Sequence, residues 1–505
     1  MLEKYVKKIL SSRVYDVAVE TPLQPAGNLS QRLGCPVTLK REDLQPIFSF
    51  KIRGAYNKIA QLSPDEQAKG VIAASAGNHA QGVALAARHL GIKATIVMGR
   101  NTPSIKVNAV RGLGARIVLH GDSFDDAATL AAELTEKKRH VFVHPFDDVD
   151  VIAGQGTVGM EIMNQHSGSP DVIFVPVGGG GLVAGISAYV KYLSPRTRIV
   201  GVEAEGSACL AAAMAAGRRV KLPFESLDLF ADGVSVAQVG RETFKVARVC
   251  VDEVVTVTTD EICAAIKDLF DDTRSIAEPA GALAVAGMKK YVEARSLADR
   301  KLVAVVSGAN VNFDRLRHIS ERAELGEQRE VILGVTIPEK RGSFRRFCNA
   351  LGKRSVSEFN YRYASDAEAH VYVGMEIAAP EDRAALLNTL AGAGYGVEDM
   401  TDNEAAKLHV RHMVGGRRLG GKSEILYRFE FPERPGALLR FLSVLGTEWN
   451  ITMFHYRNHG AAWGRVLVGF EGDAGDRRTL AAYLKRVGYR YWEETENPAY
   501  QLFLR

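Results

Sequence analysis

The feature that most constrains the fold is an alternation of short apolar runs with helical runs between residues 70 and 310. The apolar runs contain many strand-forming residues, and helical periodicity separates them. Strands are predicted at residues 71–74, 94–98, 116–119, 141–144, 172–177, 199–202, 254–257 and 302–306. Because strands that alternate with helices form parallel sheets covered on both faces, we expect an α/β fold.

Several helix boundaries carry local signals. Thr258 and Glu261 form a capping-box pattern before residues 262–270, and Pro103 suits a first helical position. The charged stretch at residues 321–330 is predicted to be a linking helix or the end of one, although its charges are also typical of any solvated face.

Composition limits the class of protein. At 505 residues the chain should contain two or more domains. Its 64 lysines and arginines exceed its 59 aspartates and glutamates by only 5, which is too dilute a charge to suggest nucleic-acid binding. The cysteines are odd in number and lack a C-x-x-C pair, which argues against a disulfide framework or zinc site: Cys35, Cys209, Cys250, Cys263 and Cys348. A charged start, with Glu3, Lys4, Lys7 and Lys8, lacks a signal-peptide core, so we expect a cytoplasmic protein.

Residues 172–190 contain no charge and are long enough to resemble a membrane span. Pro176 and four consecutive glycines interrupt the stretch in its middle. It is therefore interpreted as a buried strand, a loop and a buried helix, and no membrane partner is expected.

Lys51 is the strongest single candidate for a catalytic residue. It lies in residues 49–55, which read SFKIRGA. A lysine amine in an apolar setting loses its proton readily and can form a Schiff base with an aldehyde cofactor. Because most lysines are solvated surface residues, this hypothesis depends on the motifs that accompany Lys51.

The second motif, residues 75–82 (SAGNHAQG), follows the strand predicted at 71–74. It opens a helix predicted to end at Gly91, with Asn78 near the cap position. Backbone N–H groups at such a helix start can bind an anion such as a carboxylate. An ordinary capped helix would carry the same pattern.

Two further motifs also follow predicted strands. Residues 178–182 (GGGGL) come directly after one strand and before a helical stretch, so their N–H groups can converge on a phosphate. A flexible connector is the alternative. Ser307 follows another predicted strand, and ligands of open α/β sheets bind at such strand ends. A serine at this position is, however, often only a turn former.

In this order the four motifs resemble those of the pyridoxal-phosphate enzymes of the tryptophan synthase β-subunit fold, and within them the serine and threonine dehydratases. The resemblance covers about residues 1–320 and implies a small lobe near residues 53–155 inserted in a larger lobe, with the cofactor between them. It implies that pyridoxal 5'-phosphate contacts Phe50, Lys51, Asn78, Gly178, Gly179, Gly180, Gly181, Leu182 and Ser307. It also implies that the substrate carboxylate is received by Ser75, Ala76, Gly77, Asn78 and His79.

The same resemblance implies a role for each of these groups. Lys51 would hold the cofactor covalently, Asn78 would bond its ring 3-hydroxyl, and Ser307 would bond its pyridine nitrogen. Once displaced by the substrate amine, Lys51 is the natural general base. A serine at the pyridine nitrogen leaves that nitrogen largely unprotonated, which favours elimination of hydroxide over transamination. The expected products are a 2-oxo acid and ammonia.

Two positions depart from the related serine racemases. Where their pattern resembles a second serine, acting as an acid on the opposite face of the cofactor, this chain has Ala76. Where it resembles a metal-binding carboxylate six residues after a glutamate at the position of Glu203, this chain has Cys209. We therefore expect negligible racemisation and no required divalent metal, while a monovalent ion stays open.

The remainder of the chain contains an internal repeat. Residues 338–343 (PEKRGS) match residues 432–437 (PERPGA) at an offset of 94, and residues 359–362 (FNYR) match residues 454–457 (FHYR) at an offset of 95. Each copy is predicted to run strand, turn, helix, strand, strand, helix. Two glycine pairs flank the boundary between the copies: Gly415, Gly416, Gly420 and Gly421.

The copies resemble the ACT-like regulatory subdomains of the biosynthetic threonine dehydratases, which bind branched-chain amino acids. The resemblance implies isoleucine as an inhibitor, with valine as a further candidate effector. Four aromatic residues of the second strands, near a helix of the other copy, are the candidate effector site: Phe359, Tyr361, Phe454 and Tyr456. Alternatively, these four are core residues, and the copies serve only oligomerisation.

Together these resemblances imply a pyridoxal-phosphate-dependent L-threonine ammonia-lyase that forms 2-oxobutanoate in the first committed step toward isoleucine. L-Serine is the expected secondary substrate, and a homotetramer is the expected assembly. The expected domains are a catalytic domain at residues 1–320, a linker at 321–330 and regulatory subdomains at 331–412 and 423–505. Two alternatives stay open: a catalytically silent amino-acid sensor, and a serine-preferring dehydratase of the same fold, since one methyl group is worth only about 1–3 kcal/mol.

Overall fold

The chain folds into two compact units, Met1–Gly326 and Glu327–Arg505. The structure, a computed structural model, describes residues 2–100, 102, 104–121, 124–223, 226–228, 230–313, 315–326, 330–340, 342–352, 354–362, 367–377, 379, 381–403, 406, 410, 423–432, 437–445, 448–457, 463–473 and 475–497. Some predicted features lie outside the described residues: Pro103, residues 433–436 of the repeat, Gly415, Gly416, Gly420 and Gly421.

The first unit alternates strands with helices. Its strands are β1 (Leu23–Pro25), β2 (Val37–Arg41), β3 (Val71–Ala74), β4 (Ala94–Met98), β5 (Arg116–Leu119), β6 (Val141–Phe142), β7 (Val172–Pro176), β8 (Arg198–Ala204), β9 (Glu253–Val257) and β10 (Leu302–Val306). Its helices are α1 (Leu2–Leu10), α2 (Gly27–Leu33), α3 (Lys51–Ala60), α4 (Pro64–Lys69), α5 (Asn78–His89), α6 (Ser104–Gly112), α7 (Phe124–Lys138), α8 (Val149–Gln165), α9 (Gly181–Leu193), α10 (Cys209–Ala216), α11 (Arg241–Cys250), α12 (Thr259–Thr273), α13 (Pro279–Arg295) and α14 (Arg315–Gly326).

The larger sheet of this unit has the strand order β1-β2-β10-β7-β8-β9. Its neighbouring strands are parallel except for β1, which is antiparallel to β2. Strands β7 and β10 are buried along their whole length, as expected for central strands with helices on both faces. Because these two strands are parallel neighbours in register, the loops after them emerge at the same edge of the sheet.

The smaller sheet has the order β5-β4-β3-β6, and all its strands are parallel. Its strand β3 is buried at all four positions. Ser75 follows β3 directly and leads into α5, whose N-cap is Gly77 and whose first residue is Asn78. The parallel arrangement therefore delivers the second motif to the carboxyl edge of this sheet.

The predicted α/β fold is confirmed. Strands β3 to β10 lie at the eight predicted positions, although β6 covers only Val141–Phe142 rather than residues 141–144. The capping box of Thr258 and Glu261 is present at the start of α12. Strand β2 was not predicted, because Lys40 and Arg41 interrupt its apolar pattern even though both side chains are buried.

The second unit contains two copies of one pattern. The first copy consists of β11 (Glu330–Pro338), α15 (Ser343–Leu351), β12 (Val356–Arg362), β13 (Glu368–Glu376), α16 (Glu381–Gly392) and β14 (Gly396–Asp399). The second consists of β15 (Glu424–Pro432), α17 (Ala437–Leu445), β16 (Ile451–Arg457), β17 (Trp463–Glu471), α18 (Arg477–Val487) and β18 (Arg490–Glu493). Each copy follows the predicted order and adds a short final strand that was not predicted.

The two copies share one antiparallel sheet with the strand order β14-β11-β13-β12-β16-β17-β15-β18. Pairing of β12 with β16 joins the copies, with Phe359 opposite Tyr456 and Tyr361 opposite Phe454. Alternate strand residues from both copies form one hydrophobic core with residues of the four helices. The repeat is therefore a single folded unit rather than two independent modules.

Helix α14 reaches further along the chain than the expected catalytic domain, which ends at residue 320. It packs on α12, with Ile319 and Ala323 buried and with Arg322 bonded to the carboxylate of Asp260. The stretch expected to be a linker thus begins as packed helix. In the described part of the chain, no helix is both long and apolar enough to cross a membrane.

Ending the chain at Glu321 instead of Gly326 should destabilise the first unit. The shorter fragment lacks Arg322 and Ala323, which leaves Asp260 without its arginine and uncovers part of α12. The expected loss in the free energy of unfolding is about 1–3 kcal/mol. Thermal unfolding of fragments 1–321 and 1–326, followed by circular dichroism, measures it. Equal midpoints would show that this end of α14 contributes nothing.

Candidate active site

Lys51 is the first residue of α3, and it lies beside the carboxyl end of β10. The backbone N–H of the preceding residue, Phe50, donates to the carbonyl oxygen of Ser307 at 3.2 Å. The Lys51 Nζ donates to the carbonyl oxygen of Pro145 at 2.9 Å and lies 5.3 Å from the centroid of the Phe50 ring. The amine is thus held between a neutral acceptor and an apolar ring.

This setting changes the acidity of the lysine. Burial lowers the pKa of Lys51 to about 8, although the carboxylate of Glu278 acts in the opposite direction. A lysine with this pKa is partly neutral near physiological pH. The neutral amine is the form that attacks an aldehyde.

Glu278 and Asn310 hold the side chain of Asn78 from both ends. Asn78 Nδ2 donates to Glu278 Oε1 at 2.6 Å, and Asn310 Nδ2 donates to Asn78 Oδ1 at 2.6 Å. Burial raises the pKa of Glu278 to about 7, while the bond from Asn78 lowers it. A Cβ at Gly308 would lie 2.4 Å from Glu278 Oε1, so a larger residue there would displace the carboxylate that holds Asn78. The amide of Asn78 is therefore fixed in orientation, and the second hydrogen of its Nδ2 can reach a ligand.

The glycine run after β7 forms a tight cradle at the start of α9. A Cβ at Gly178 would lie 2.9 Å from the backbone of Val234, and one at Gly179 would lie 2.2 Å from the ring of Phe146. Gly180 has a φ of +91°, a left-handed conformation that other residues rarely adopt. Backbone N–H groups at a helix start such as Gly181 favour an anion, so this loop can hold a phosphate.

Asp147 links the cradle to the segment that holds Lys51. Its carboxylate accepts the backbone N–H groups of Arg241 and Glu242 at 2.8 and 2.7 Å, at the start of α11. From the same turn, Gly240 N–H and the Thr243 hydroxyl donate to the carbonyl oxygen of Gly179 at 3.1 and 2.8 Å. Because Asp147 follows Pro145 by two residues, the acceptor of Lys51 and the glycine cradle are positioned together.

In the second motif, Ser75 and Gly77 form a turn, whereas the side chain of His79 packs in the core. The Ser75 Oγ accepts the N–H of Gly77 at 3.2 Å, which closes the turn before α5. The ring of His79 is buried and bonded to the carbonyl oxygen of Val143 at 2.8 Å. Burial and the nearby Lys51 lower the pKa of His79 to about 3, so its ring is neutral. The turn can offer backbone N–H groups to a carboxylate, whereas the His79 side chain is occupied in the core.

Ser307 lies where predicted, at the end of β10, with its side chain buried. Its Oγ lies 3.3 Å from the carbonyl oxygen of Ala280, to which it donates. The structure thus brings Phe50, Lys51, Asn78, the glycine cradle and Ser307 to the same region. Glu278, Asn310, Pro145 and Asp147 join them without having been predicted. Glu278 stands immediately before Pro279 at the start of α13, a helix-start pattern that could have drawn attention to it.

At the second departure from the racemase pattern, Glu203 and Cys209 have clear local contacts. Both oxygens of Glu203 accept backbone N–H groups at the start of α10, from Leu210 and Ala211, each at 2.8 Å. The thiol of Cys209 donates to the carbonyl oxygen of Gly178 at 3.4 Å. Glu203 therefore anchors a helix start, and Cys209 supports the glycine cradle.

The four aromatic residues proposed for the effector lie in the second unit, and all are buried. Phe359 and Phe454 pack edge to face, with ring centroids 5.6 Å apart, inside the core of that unit. Tyr361 also lines a cleft, and its hydroxyl donates to Glu339 Oε2 at 2.7 Å. The other cleft residues include Phe344 and Ser343 of the first copy and Leu442, Leu445 and Trp449 of the second.

Comparison with protein families identifies both units. A family model described as pyridoxal-phosphate dependent enzyme matches residues 14–308. A model described as the C-terminal regulatory domain of threonine dehydratase matches twice, at residues 321–410 and 415–504. The fold and the lysine site thus define a pyridoxal-phosphate dependent enzyme with a duplicated regulatory domain.

Individual relatives narrow this class. The chain is 54% identical to a biosynthetic L-threonine dehydratase of Burkholderia multivorans, over 99% of both chains, and 52% identical to that of Escherichia coli, over 99% of this chain and 97% of the other. A threonine deaminase structure from Solanum lycopersicum has 50% identity and a TM-score of 0.62, and it covers 64% of this chain and 93% of its own. The chain belongs to the biosynthetic threonine dehydratases. It is a lyase, and its cofactor is pyridoxal 5'-phosphate.

The site fits this cofactor by its chemistry. A lysine amine of lowered pKa is available for the aldehyde, a fixed amide is available for a ring hydroxyl, and a glycine cradle is available for the phosphate. The cradle is the most specific of these features, since a Cβ at Gly178 or Gly179 would collide with Val234 or Phe146 and displace the loop. Each part belongs to a different segment, so only the folded unit can bind the whole cofactor.

Capture of the cofactor by the apoenzyme should accelerate as pH rises, with a midpoint near 8. Only the deprotonated amine of Lys51 reacts, and the groups that face it are Glu278, His79 and His144. Stopped-flow absorbance after mixing apoenzyme with pyridoxal phosphate measures the rate. A midpoint near the ordinary lysine value of 10.5 would contradict the lowered pKa.

Proposed function

We propose that the chain is an L-threonine ammonia-lyase that converts L-threonine to 2-oxobutanoate and ammonia, the first committed step toward isoleucine. The observation that carries the proposal is the Lys51 amine, which is bonded to the Pro145 carbonyl oxygen and feels the charge of Glu278, the residue that fixes the amide of Asn78. The names of the relatives support the substrate, since those at 54% and 52% identity are L-threonine dehydratases.

In this proposal each predicted residue has a defined role. Lys51 holds the cofactor, Asn78 donates to its ring hydroxyl, Ser307 bonds its ring nitrogen, and Phe50 packs near its ring. The phosphate is held by Gly178, Gly179, Gly180, Gly181 and Leu182, and the substrate carboxylate is received by the turn of Ser75, Ala76, Gly77, Asn78 and His79. When bound, the cofactor withdraws electrons from the α-carbon of the amino acid.

The proton chemistry is assigned to Lys51. With a pKa of about 8, its amine can accept the α-proton of the substrate and release it again at neutral pH. Ser307 is neutral and cannot charge the ring nitrogen, which favours elimination over transamination. Ala76 provides no acid on the opposite face, so the α-proton returns from one side only and racemisation should be negligible.

Lys51→Ala should lose both the visible absorbance of the bound cofactor and the formation of 2-oxo acid. The direct measurement is 2-oxo acid release from L-threonine and L-serine, with chiral analysis of the residual substrate. Lys51→Arg is the matched control, because arginine keeps the charge and cannot react with the aldehyde. Normal absorbance in Lys51→Ala would refute the assignment.

The same assay separates the alternatives. Higher kcat/KM for L-serine would make the chain a serine-preferring dehydratase. A wild-type protein without visible absorbance or turnover would be the silent sensor. Comparable rates of racemisation and elimination would overturn the role given to Ala76.

We also propose that residues 1–320 are the catalytic domain, joined by residues 321–330 to regulatory subdomains at 331–412 and 423–505. Isoleucine, and valine as a second candidate, would bind in the cleft that Tyr361 lines. In this proposal the carboxylate of Glu339 would receive the ammonium group, and Phe344, Leu442 and Leu445 would surround the apolar side chain. Because this cleft draws on both copies, its ligand would favour one arrangement of the pair.

Isoleucine should inhibit the full chain and not the fragment 1–326, which lacks the second unit. In the full chain, Tyr361→Phe removes the bond to Glu339 and should raise the half-inhibitory isoleucine concentration several-fold, with kcat unchanged. Tyr372→Phe, whose hydroxyl bonds the carbonyl oxygen of Ala406, is the control. Linkage requires threonine to oppose isoleucine reciprocally. Competitive isoleucine inhibition of the fragment would place the effector in the active site.

For the assembly and location, we propose a homotetramer in the cytoplasm. All five cysteines are buried and unpaired, which suits a reducing compartment. The tetramer rests on family resemblance, and light scattering of the purified protein tests it.

A further inference from the structure

A buried cluster of four charges lies next to the start of α3 and has no task in the proposed chemistry. It consists of Lys40, Glu42, Arg53 and Glu161, whose side chains are each at most 2% exposed. Two positive and two negative groups make the cluster neutral overall. Charges this deeply buried are costly unless each is paired, so their arrangement is highly constrained.

Arg53 is the centre of the cluster. Its Nε and Nη2 donate to the two carboxylate oxygens of Glu42 at 2.7 and 2.8 Å. Its Nη1 and Nη2 donate to the two oxygens of Glu161. Nη1 also donates to Thr157 Oγ1 at 3.1 Å, and Nη2 to the carbonyl oxygen of Val19 at 3.2 Å. Only a planar guanidinium can serve two carboxylates in this way.

The two carboxylates also connect Arg53 to other segments of the chain. Glu161, on α8, also accepts from the amine of Lys40 and from the hydroxyl of Tyr15, the latter at 2.8 Å. Glu42, just after β2, also accepts from the hydroxyl of Thr21 at 2.6 Å. The cluster therefore ties α3 to α8, to β2 and to the chain before β1.

The location of Arg53 connects this cluster with catalysis. Arg53 is the third residue of α3 and follows Lys51 by two positions, so their side chains leave the helix on nearly opposite sides. The N-cap residue Phe50 makes no side-chain capping bond. The fork of Arg53 thus anchors the first turn on the side away from the Lys51 amine, alongside the backbone bonds to Ser49 and Gln155.

We propose that Arg53 is a positioning residue for Lys51, fixing the first turn of α3 so that the lysine amine is aimed at the cofactor. The proposal rests on the proposed role of Lys51. Arg53→Lys keeps the charge and loses the fork, which frees the first turn. The cofactor should then bind at least about 10-fold more weakly, and kcat should fall by at least about 10-fold, with a smaller change in the KM for threonine.

The matched control is Arg322→Lys, the same substitution at a buried arginine paired with Asp260 between α12 and α14. Three quantities are measured on the full-length enzyme: the thermal midpoint, the dissociation constant of pyridoxal phosphate from the visible absorbance of titrated apoenzyme, and kcat with KM. Both variants should lower the thermal midpoint. The cofactor affinity and kcat should change in Arg53→Lys and stay within twofold of wild type in Arg322→Lys.

Two milder variants decide the outcome if Arg53→Lys fails to fold. Thr157→Val removes one bond to Arg53, and Tyr15→Phe removes one bond to Glu161. Both should weaken cofactor binding in the same direction by a smaller factor. Variants of the cluster with lowered midpoints and wild-type cofactor affinity and kcat would overturn the proposal. A wild-type enzyme without visible absorbance would instead overturn the role of Lys51 itself.

Discussion

The catalytic unit depends on keeping one lysine amine away from water without giving it a full counter-charge. Lys51 is bonded to a carbonyl oxygen, a neutral acceptor that the amine can still bond after it has lost its proton. A carboxylate in the place of the Pro145 carbonyl would have held the proton and raised the pKa. Glu278 is near enough to act on Lys51, yet its own pKa is raised to about 7 by burial, which limits its negative charge.

The position of Lys51 depends on close packing of helices, and glycine residues allow that packing. A Cβ at Gly154 of α8 would lie 2.6 Å from the carbonyl oxygen of Arg53, and one at Gly185 of α9 would lie 2.5 Å from that of Ile152. Helix α8 therefore packs closely against both α3 and α9 at positions where a glycine has no side chain. This approach brings Glu161 within bonding distance of the guanidinium of Arg53, so the glycines and the charge cluster support one geometry.

What the sequence could predict was local, and what it could not was long-range. The strands, the glycine loop and the lysine motif each lie within a short run, so periodicity and spacing reveal them. Glu278 meets Asn78 across 200 residues, and Asp147 meets Arg241 across 94, so no local pattern pairs them. Local patterns were also insufficient for the prediction that four aromatic residues bind the effector. Alternation identifies Phe359 and its counterparts as one face of a sheet, but it does not say whether that face lines a cleft or fills a core.

The duplicated unit shows how far a repeat constrains structure. The Ser357 hydroxyl donates to Glu330, and the Thr452 hydroxyl donates to Glu424, at positions offset by 95 and 94 residues. An equivalent part-buried contact is thus present in both copies, with serine in one and threonine in the other. The two copies therefore share local side-chain contacts as well as the order of their elements.

The pairing of β12 with β16 joins the two copies into one sheet. It is the seam of the eight-stranded sheet, and the cleft beside Tyr361 draws on residues from both sides of it. Removing one copy would leave an unpaired strand edge and half of a hydrophobic core exposed to water. A ligand in this cleft would contact both copies at once, so the proposed regulation would act through the pair of copies rather than through either one alone.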